Sequence, residues 1–309
     1  MSKLERSVAP AGPGRALTGG EPWQIALFRK SIKKKQTLDA ILALLPSLQK
    51  EECLEIGCAT GLTSYFLRQR GGRWLSVDFE ADHVSSARAL VGGEVVQMGE
   101  ESIDLPDACR DLVVGINFLE HLVHDREYLR EMVRVLRPGG IFVLTGPKGE
   151  RGRPAYWLKR LYGFNCDSGG FGHARDGYPP ERLRALLEEA GLQDIEIRSY
   201  SRFFTEAVED TLNYGYNLLS RRHSGKTATA PAVPSAGKED DPSARPEHRG
   251  DHDFHGNTAP MSQDAFAQVG KAFRLYSALY PFLRMVAALD ALVPGRDAGY
   301  MFACRAVKR

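Results

Sequence analysis

Residues 53–61 read Cys-Leu-Glu-Ile-Gly-Cys-Ala-Thr-Gly, and an acidic residue, Asp78, closes the next apolar run. A short buried strand that runs straight into a glycine-bearing turn lets backbone N–H groups approach a bound ligand. A carboxylate at the end of the neighbouring strand can accept hydrogen bonds from both hydroxyls of a ribose. The separation of Gly57 and Asp78 fits one βαβ unit, in which the ribose-binding acid follows the turn by roughly 20 residues. The pattern therefore indicates a site for a nucleoside cofactor.

The glycine spacing separates two kinds of nucleoside cofactor. The nicotinamide fingerprint G-x-G-x-x-G does not fit, because Gly57, Ala59 and Gly61 recur at every second position. Glu55 stands two residues before the first glycine. A carboxylate there would repel a pyrophosphate, but it suits a cofactor with a cationic amino group near the turn. S-adenosylmethionine meets that requirement.

Three segments carry a family resemblance. Residues 54–61 resemble motif I of the class I S-adenosylmethionine-dependent methyltransferases, in particular the small-molecule, type 11 or ubiquinone–menaquinone methyltransferase-like members. Residues 111–122 resemble the fourth-strand motif of that family, and residues 135–147 resemble its next turn and fifth strand. The departure is Ala59, where many relatives carry glycine. Its extra methyl group is tolerable if the φ angle of Ala59 is negative.

The resemblance implies which side chains hold the cofactor. These cofactor-binding candidates are Glu55, Gly57, Cys58, Ala59, Gly61, Asp78, Phe79, Glu100 and Asn117. Asp78 would hold the ribose, and Glu100 would lie near the adenine. Structural alternatives stay open, because Glu55 could cap the turn and Asn117 could be a simple turn residue.

A second group of candidates would contact the methyl acceptor. The string Gly-His-x-Arg at 172–175 is similar to one found at the rim of the substrate pocket in many small-molecule methyltransferases. The expected substrate contacts are Lys148, Arg175 and Tyr178. His121 and His173 are candidate general bases, because an unperturbed histidine pKa near 6.5 suits proton removal around neutral pH. Either histidine could instead make a structural hydrogen bond.

The expected reaction is methyl transfer to a small-molecule or lipid- or glycan-linked acceptor. An in-line SN2 displacement at a sulfonium depends on positioning and desolvation, so it needs no covalent residue. The alternatives are a protein or nucleic-acid methyltransferase, a non-catalytic S-adenosylmethionine-binding protein, and a class member with decarboxylative or aminopropyl chemistry. Neither a recognition domain nor a strong basic stripe favours the first of these. The acceptor itself stays open.

The elements that position these residues follow from apolar runs and stop signals. Strand-like runs occur at 51–56, 74–79, 94–98, 112–117, 141–145, 194–199 and 300–307. Helical patterns at 63–70, 81–90 and 126–136 separate the first five, and another helix is expected over 23–45. This alternation predicts an α/β fold with a doubly wound, mostly parallel sheet. The resemblance makes it Rossmann-like and seven-stranded, with an antiparallel last strand.

The domain organisation departs from a minimal fold. Residues 1–21 are predicted to be a flexible tail, and residues 22–202 with 299–309 form the methyltransferase domain. Residues 203–298 are a helical insertion before the last strand and a candidate substrate lid, with a disordered low-complexity segment at 222–259. His248, His252 and His255 lie in that segment, where no scaffold would hold a coordination geometry, so no metal site is predicted.

Composition narrows the compartment and the partners. The chain has 41 basic and 39 acidic residues, a net charge of +2, which gives no general bias toward nucleic acid. Five cysteines without a CxxC pair favour a reducing cytoplasm. A basic cluster at 29–35 beside Trp23, and the apolar segment 279–292, raise peripheral membrane contact as a hypothesis. The oligomeric state stays open.

Overall fold

The structure is a computed structural model that describes residues 22–99, 101–149, 153–163, 174–223, 270–295 and 297–309. The predicted tail at 1–21 and the low-complexity segment beyond His223 lie outside the described residues. So do Glu100 and His173, and the three histidines His248, His252 and His255.

Seven strands form one sheet. They are β1 (Glu52–Ile56), β2 (Arg73–Asp78), β3 (Val95–Gln97), β4 (Arg110–Ile116), β5 (Leu136–Pro147), β6 (Leu192–Tyr200) and β7 (Met301–Lys308). The order across the sheet is β3-β2-β1-β4-β5-β7-β6. Strands β1 to β5 pair in parallel, whereas β7 is antiparallel to both β5 and β6. The predicted fold class is confirmed, and the strand order reverses between β1 and β4, where such sheets bind ligands.

Helices connect these strands on both sides of the sheet. They are α1 (Trp23–Arg29), α2 (Ile32–Leu42), α3 (Leu62–Arg68), α4 (Ala81–Val91), α5 (Asp125–Val135), α6 (Pro154–Leu161), α7 (Pro180–Glu189), α8 (Phe203–His223) and α9 (Gly270–Ala288). Two short 3₁₀ turns, at Leu119–His121 and Leu289–Leu292, complete the described elements.

The expectation of a single helix over 23–45 is wrong, because the segment divides into α1 and α2. Ser31 between them is extended, with φ −93° and ψ 129°, and its side chain accepts a hydrogen bond from the Lys34 N–H at 3.2 Å. A serine in this conformation caps the N-terminus of the second helix. The chain can therefore turn at Ser31, and α1 and α2 reach different parts of the molecule.

The sheet is buried on both faces. Leu54 and Ile56 belong to a core cluster with residues of α5 and α7, whereas Cys53 belongs to a second cluster with Ile41 of α2 and Leu67 of α3. Successive side chains of a strand point to opposite faces, so this division is what a doubly wound sheet requires. The layers fix the carboxyl edge of the sheet, where the predicted site residues end their strands.

The insertion before β7 contributes α8 and α9. Helix α8 begins just after the carboxyl end of β6 and packs against α2 and α6, and α9 packs against α8. The carboxylate of Asp290 accepts the backbone N–H groups of Phe204 and Thr205 at 2.7 and 3.1 Å, which satisfies the free donors at the start of α8. The insertion thus starts at the predicted edge of the sheet.

Candidate cofactor and acceptor site

The turn after β1 has room for glycine alone at two positions. Gly57 has a φ of +80°, and a Cβ atom there would lie 2.8 Å from the carbonyl oxygen of Ile116. Gly61 has a φ of +84°, and its Cβ would lie 2.6 Å from the Cα of Ala87 on α4. The N–H groups of Gly57 and Cys58 both donate to the carbonyl of Val77, at 3.0 and 3.1 Å. The turn is therefore held against β2, α4 and the end of β4.

Ala59 adopts a left-handed conformation with a φ of +46°. The condition of a negative φ, under which the methyl group would be harmless, is therefore not met. For a residue with a Cβ atom, the left-handed conformation costs roughly 1–2 kcal/mol that glycine does not incur. In return, the backbone N–H of Ala59 donates to Asp78 Oδ2 at 2.8 Å. The conformation joins the turn after β1 to the acidic residue at the end of β2.

Asp78 is buried at the carboxyl end of β2 and connects three segments. Besides the bond from Ala59, its Oδ1 accepts the Glu80 N–H at 3.2 Å and lies 3.0 Å from His83 Nδ1. The role of Asp78 on a ribose stays a prediction.

Glu55 lies deeper than expected for a residue that meets the cofactor directly. Its side chain is fully buried, and Oε2 accepts hydrogen bonds from the hydroxyls of Ser64 and Ser76 at 2.5 Å each. Burial raises the pKa of this carboxyl, while the two hydroxyls and the nearby Arg68 oppose the rise. Its Oε1 has no hydrogen-bond partner among the described residues. Glu55 thus ties β1 to α3 and β2, with one oxygen left for a further donor.

Helix α1 reaches the glycine turn. The side-chain amide of Gln24 lies 3.5 Å from the carbonyl of Thr60 and 3.4 Å from the hydroxyl of Ser86, and the rings of Phe28 and Phe66 are 4.7 Å apart. This contact agrees with a helix that packs across the cofactor cleft. Sequence reasoning missed Gln24, because an isolated glutamine carries no signal for a contact 36 residues away.

An aromatic cluster borders the ends of β2 and β4. Phe79 is half-buried, and its ring centroid lies 6.4 Å from that of Phe118 and 5.7 Å from that of Tyr128. The carbonyl of Phe79 accepts a hydrogen bond from the side-chain amide of Gln97 on β3 at 2.8 Å. The cluster gives this edge an apolar wall of the kind that adenine rings contact.

Asn117 follows β4 at the point where the strand order reverses. It has a φ of +44°, its N–H donates to the carbonyl of Thr145, and its Oδ1 accepts the Thr145 hydroxyl at 3.1 Å. These two bonds tie Asn117 to β5 at the carboxyl edge of the sheet.

Glu120 and His121 form the 3₁₀ turn after β4, and both side chains are buried. His121 Nε2 lies 4.0 Å from Glu120 Oε1, while Glu120 Oε2 has no hydrogen-bond partner among the described residues. Burial raises the pKa of Glu120 to about 8. The histidine was predicted but the glutamate was not, although an acid beside Phe118 and Leu119 in an apolar run was a usable signal.

The three expected substrate contacts occupy other positions. Tyr178 is fully buried and donates to Asp125 Oδ2 at 2.9 Å, and the Arg175 guanidinium donates to the carbonyls of Leu119 and Leu122 at 3.1 and 2.7 Å. Both side chains hold the turn that carries Glu120 and His121. The Lys148 ammonium donates to Ser199 and to the carbonyl of Asp297, at 2.8 and 3.0 Å. These contacts fix the three side chains within the fold, and their role toward a substrate stays a prediction.

Three buried polar atoms near the carboxyl edge have no hydrogen-bond partner in the part of the chain that the structure describes. They are Gln36 Oε1 on α2, Glu120 Oε2 and the hydroxyl of Tyr200. The amide nitrogen of Gln36 donates to Thr205 of α8 at 3.0 Å, so α8 also borders this region. Unpaired buried polar atoms each cost about 1–3 kcal/mol, and such groups in native proteins call for a ligand or water. No group of His, Cys, Asp or Glu side chains within the described ranges could hold a metal ion.

Comparison with known proteins agrees with this geometry. Residues 54–144 match the family model described as a methyltransferase domain. The chain is 30% identical over 184 residues to a protein of Mycolicibacterium smegmatis named as a probable S-adenosylmethionine-dependent methyltransferase, covering 58% of this chain and 62% of the relative. The chain is therefore similar to S-adenosylmethionine-dependent methyltransferases, and residues 54–144 carry the match to the methyltransferase domain.

More distant methyltransferases also match. A malonyl-[acyl-carrier protein] O-methyltransferase of Enterobacter lignolyticus is 29% identical over 36% of this chain and 45% of its own length. A solved methyltransferase structure from Thermotoga maritima superposes with a TM-score of 0.50 at 14% identity, over 92% of this chain and 93% of the other, which shows the shared fold. The chain spans 62% and 45% of the lengths of these two curated relatives.

Proposed function

We propose that this methyltransferase transfers a methyl group from S-adenosylmethionine to a small-molecule acceptor. The observation that carries the proposal is the glycine turn after β1, where the space for a side chain at Gly57 is filled by the end of β4 and the N–H of Ala59 meets Asp78. Backbone would then line the approach to the cofactor, and the buried Asp78 carboxylate would accept from its ribose.

The cofactor would lie along the carboxyl edge of β1, β2 and β4. Gly57, Cys58, Ala59 and Gly61 would cradle it with backbone atoms, and the free Oε1 of Glu55 is the position for its ammonium group, directly or through water. Asp78 would accept from the ribose. Phe79 would border the adenine, and Asn117 would border the reactive end. For Glu100, which lies outside the described residues, we retain the prediction of a contact near the adenine.

The residues around the reactive end of the cofactor would exclude water and hold the reacting groups in position. When bound, S-adenosylmethionine supplies an electrophilic methyl group on a positively charged sulfur. Apolar neighbours of Asn117, such as Phe118 and Leu119, exclude water from this point, which favours an in-line SN2 displacement by strengthening interactions between the reacting groups. For an acceptor that must lose a proton, His121 beside Glu120 is the group placed to receive it. His173 keeps its prediction as the second candidate base.

The acceptor is proposed to be a small or lipid-linked molecule. A relative is named as an O-methyltransferase of ubiquinone biosynthesis, which supports such an acceptor over a nucleic acid or protein. The unpaired atoms of Gln36, Glu120 and Tyr200 indicate an acceptor with polar groups of its own. A cytoplasmic location is consistent with Cys53, Cys58, Cys109 and Cys304, which are free thiols.

Label transfer tests this proposal. The full chain is incubated with S-adenosylmethionine carrying a radioactive methyl group and with separate aqueous-metabolite, lipid, protein and nucleic-acid fractions. We expect label in the metabolite or lipid fraction, and a strong reduction with Glu120→Gln if the acceptor must lose a proton. Label only in the protein or nucleic-acid fraction would contradict the acceptor class, and label in no fraction would contradict catalysis of methyl transfer.

A further inference from the structure

Helix α9 is held to the rest of the molecule by one of its faces. Tyr280 and Ala287 of α9 pack in a cluster with Ile32 of α2 and Val208 of α8. The Tyr276 hydroxyl donates to the carbonyl of Lys30, and the Lys35 ammonium donates to the Tyr280 hydroxyl at 3.0 Å. These contacts fix which side of α9 faces outward.

The outward side is also apolar. Its large apolar side chains, which we call the outer stripe, are Leu275, Leu279, Phe282, Met285, Leu289 and Leu292. They recur every three or four residues, so they share one side of the helix and of the 3₁₀ turn that extends it. Their exposed fractions run from 40% at Leu289 to 77% at Leu292. Single exposed apolar residues are ordinary, but a contiguous row of this length marks an interaction surface.

The two exposed charges of this segment are both basic. Between Phe273 and Leu292 the exposed charged residues are Arg274 and Arg284, each adjacent in sequence to a member of the stripe. Asp290, the acid of this segment, is buried, with its carboxylate accepting the N–H groups at the start of α8. An apolar row with a basic border is complementary to a surface that is apolar inside and anionic outside.

The segment satisfies the length and composition of a membrane helix. Residues Phe273–Leu292 contain an 18-residue window with a mean hydropathy of 1.2, of which 11% is buried. It is the one helix of the described ranges that could cross a membrane by length and composition. Two observations favour a position on the surface over a spanning one. The inner face is committed to α2 and α8, and Arg284 stands near the middle of the segment, where a charge is costly inside a bilayer.

We propose that the outer stripe docks on the surface of an anionic phospholipid bilayer, with α9 lying parallel to the membrane plane. Leu275 to Leu292 enter the boundary between headgroups and acyl chains, while Arg274 and Arg284 contact lipid phosphates. Helix α8 begins just after the carboxyl end of β6, beside Tyr200, and packs against α9. Docking would therefore hold the acceptor side of the molecule close to the lipid. Membrane docking does not depend on methyl transfer, so each of the two proposals can be tested without the other.

Vesicle flotation of the full chain tests the docking. The probes are vesicles of phosphatidylcholine alone and of phosphatidylcholine with phosphatidylglycerol. The protein is expected to float with the anionic vesicles and much less with the neutral ones, and added salt should reduce flotation because it screens the arginine contacts. Protein that stays at the bottom with both vesicle types would overturn the proposal.

Paired variants assign the binding to the outer stripe. The double variant Leu279→Glu, Phe282→Glu should lower partitioning onto anionic vesicles at least tenfold. It removes two apolar side chains that would enter the bilayer and adds two carboxylates that anionic lipids repel. Gln69→Glu with Gln193→Glu makes the same change of charge at exposed positions far from α9 and should partition like the wild type. Arg274→Ala and Arg284→Ala should each cost about fivefold on anionic vesicles and little on neutral ones.

Two controls keep the outcomes distinct. Far-UV circular dichroism and a cooperative thermal unfolding transition show whether each variant remains folded, so loss of flotation by a folded variant supports the proposal. Flotation of the Leu279→Glu, Phe282→Glu variant at the wild-type level would overturn it. A second result would also overturn it: a wild-type protein that is a dimer and does not bind vesicles, with a variant that is a monomer. The outer stripe would then contact a second copy of the chain instead of a membrane.

Discussion

Ala59 combines an unfavourable backbone conformation with a hydrogen bond that the site uses. Its φ of +46° lies in the left-handed region, yet its N–H is the group that reaches Asp78. The two facts are connected, because in this left-handed conformation the Ala59 N–H lies 2.8 Å from the carboxylate of Asp78. Backbone strain held at a ligand-binding turn is a recurring feature of functional sites.

Replacement of Ala59 by glycine should therefore stabilise the protein. Ala59→Gly keeps the N–H and removes the clash of the methyl group, and we expect a gain of about 1 kcal/mol in the free energy of unfolding measured with urea. Ala185→Gly, at an exposed position inside α7, is the matched control and should lose about 1 kcal/mol. Equal losses in both variants would contradict the strain assigned to Ala59.

Glu120 should make stability depend on pH. Burial raises its pKa in the folded protein to about 8, whereas in the unfolded chain the carboxyl titrates near 4.3. The folded state holds a proton that the unfolded state releases, so this residue lowers stability as pH rises from about 4.5 to 8. Below that window it makes no difference.

The variant Glu120→Gln removes this titration. Its free energy of unfolding relative to the wild type should increase by at least about 1 kcal/mol between pH 5 and pH 8, as measured by urea unfolding at both values. Glu127→Gln, an exposed acid of α5, is the control and should show no such change. A constant difference between Glu120→Gln and the wild type across that range would show that Glu120 is ionised throughout.

At the scale of elements, the contact between α3 and α4 depends on one glycine. Gly61 starts α3 in the left-handed region, and its missing Cβ is the space occupied by Ala87 of α4. Close packing of these two helices keeps the glycine turn against the end of β2. Any side chain at Gly61 would push α4 and the Asp78 loop away from the turn.

Gly61→Ala should be strongly destabilising. The methyl group meets backbone at 2.6 Å and the φ of +84° is unfavourable for alanine, so we expect a loss of at least about 2 kcal/mol in thermal or urea unfolding. Gly93→Ala introduces the same methyl group where nothing lies within 4 Å and should change stability by less than about 1 kcal/mol. Similar losses for the two variants would argue against the packing described here.

The elements themselves were largely predictable from the sequence. The strands were marked by short apolar runs, and α4 and α5 by amphipathic spacing with glycine or proline after them. The break between α1 and α2 was missed because Ser31 is a weak signal inside a helical pattern. Helix α6 was missed because it is short and begins at Pro154 in a basic stretch.

At the scale of the whole molecule, the site is an edge of the sheet to which distant segments contribute. The cofactor side was predictable because Glu55, Gly57 and Asp78 belong to one βαβ unit, within about 20 residues of one another. The acceptor side was not, because Gln36, Glu120 and Tyr200 stand on α2, on the turn after β4 and at the end of β6, which only the strand order and the helix packing relate to one another. The motif of Arg175 and Tyr178 also gave no sign that they hold the Glu120 turn.

The most direct test is calorimetric titration of the full chain with S-adenosylmethionine and with its demethylated product. We predict that both bind at one site, and that Asp78→Asn weakens binding of each at least about tenfold through loss of a charged acceptor. The exposed Asp82→Asn of α4 is the matched control and should bind like the wild type. Absence of binding by either ligand, or equal affinity of Asp78→Asn and the wild type, would contradict a cofactor site at the carboxyl edge of β1 and β2.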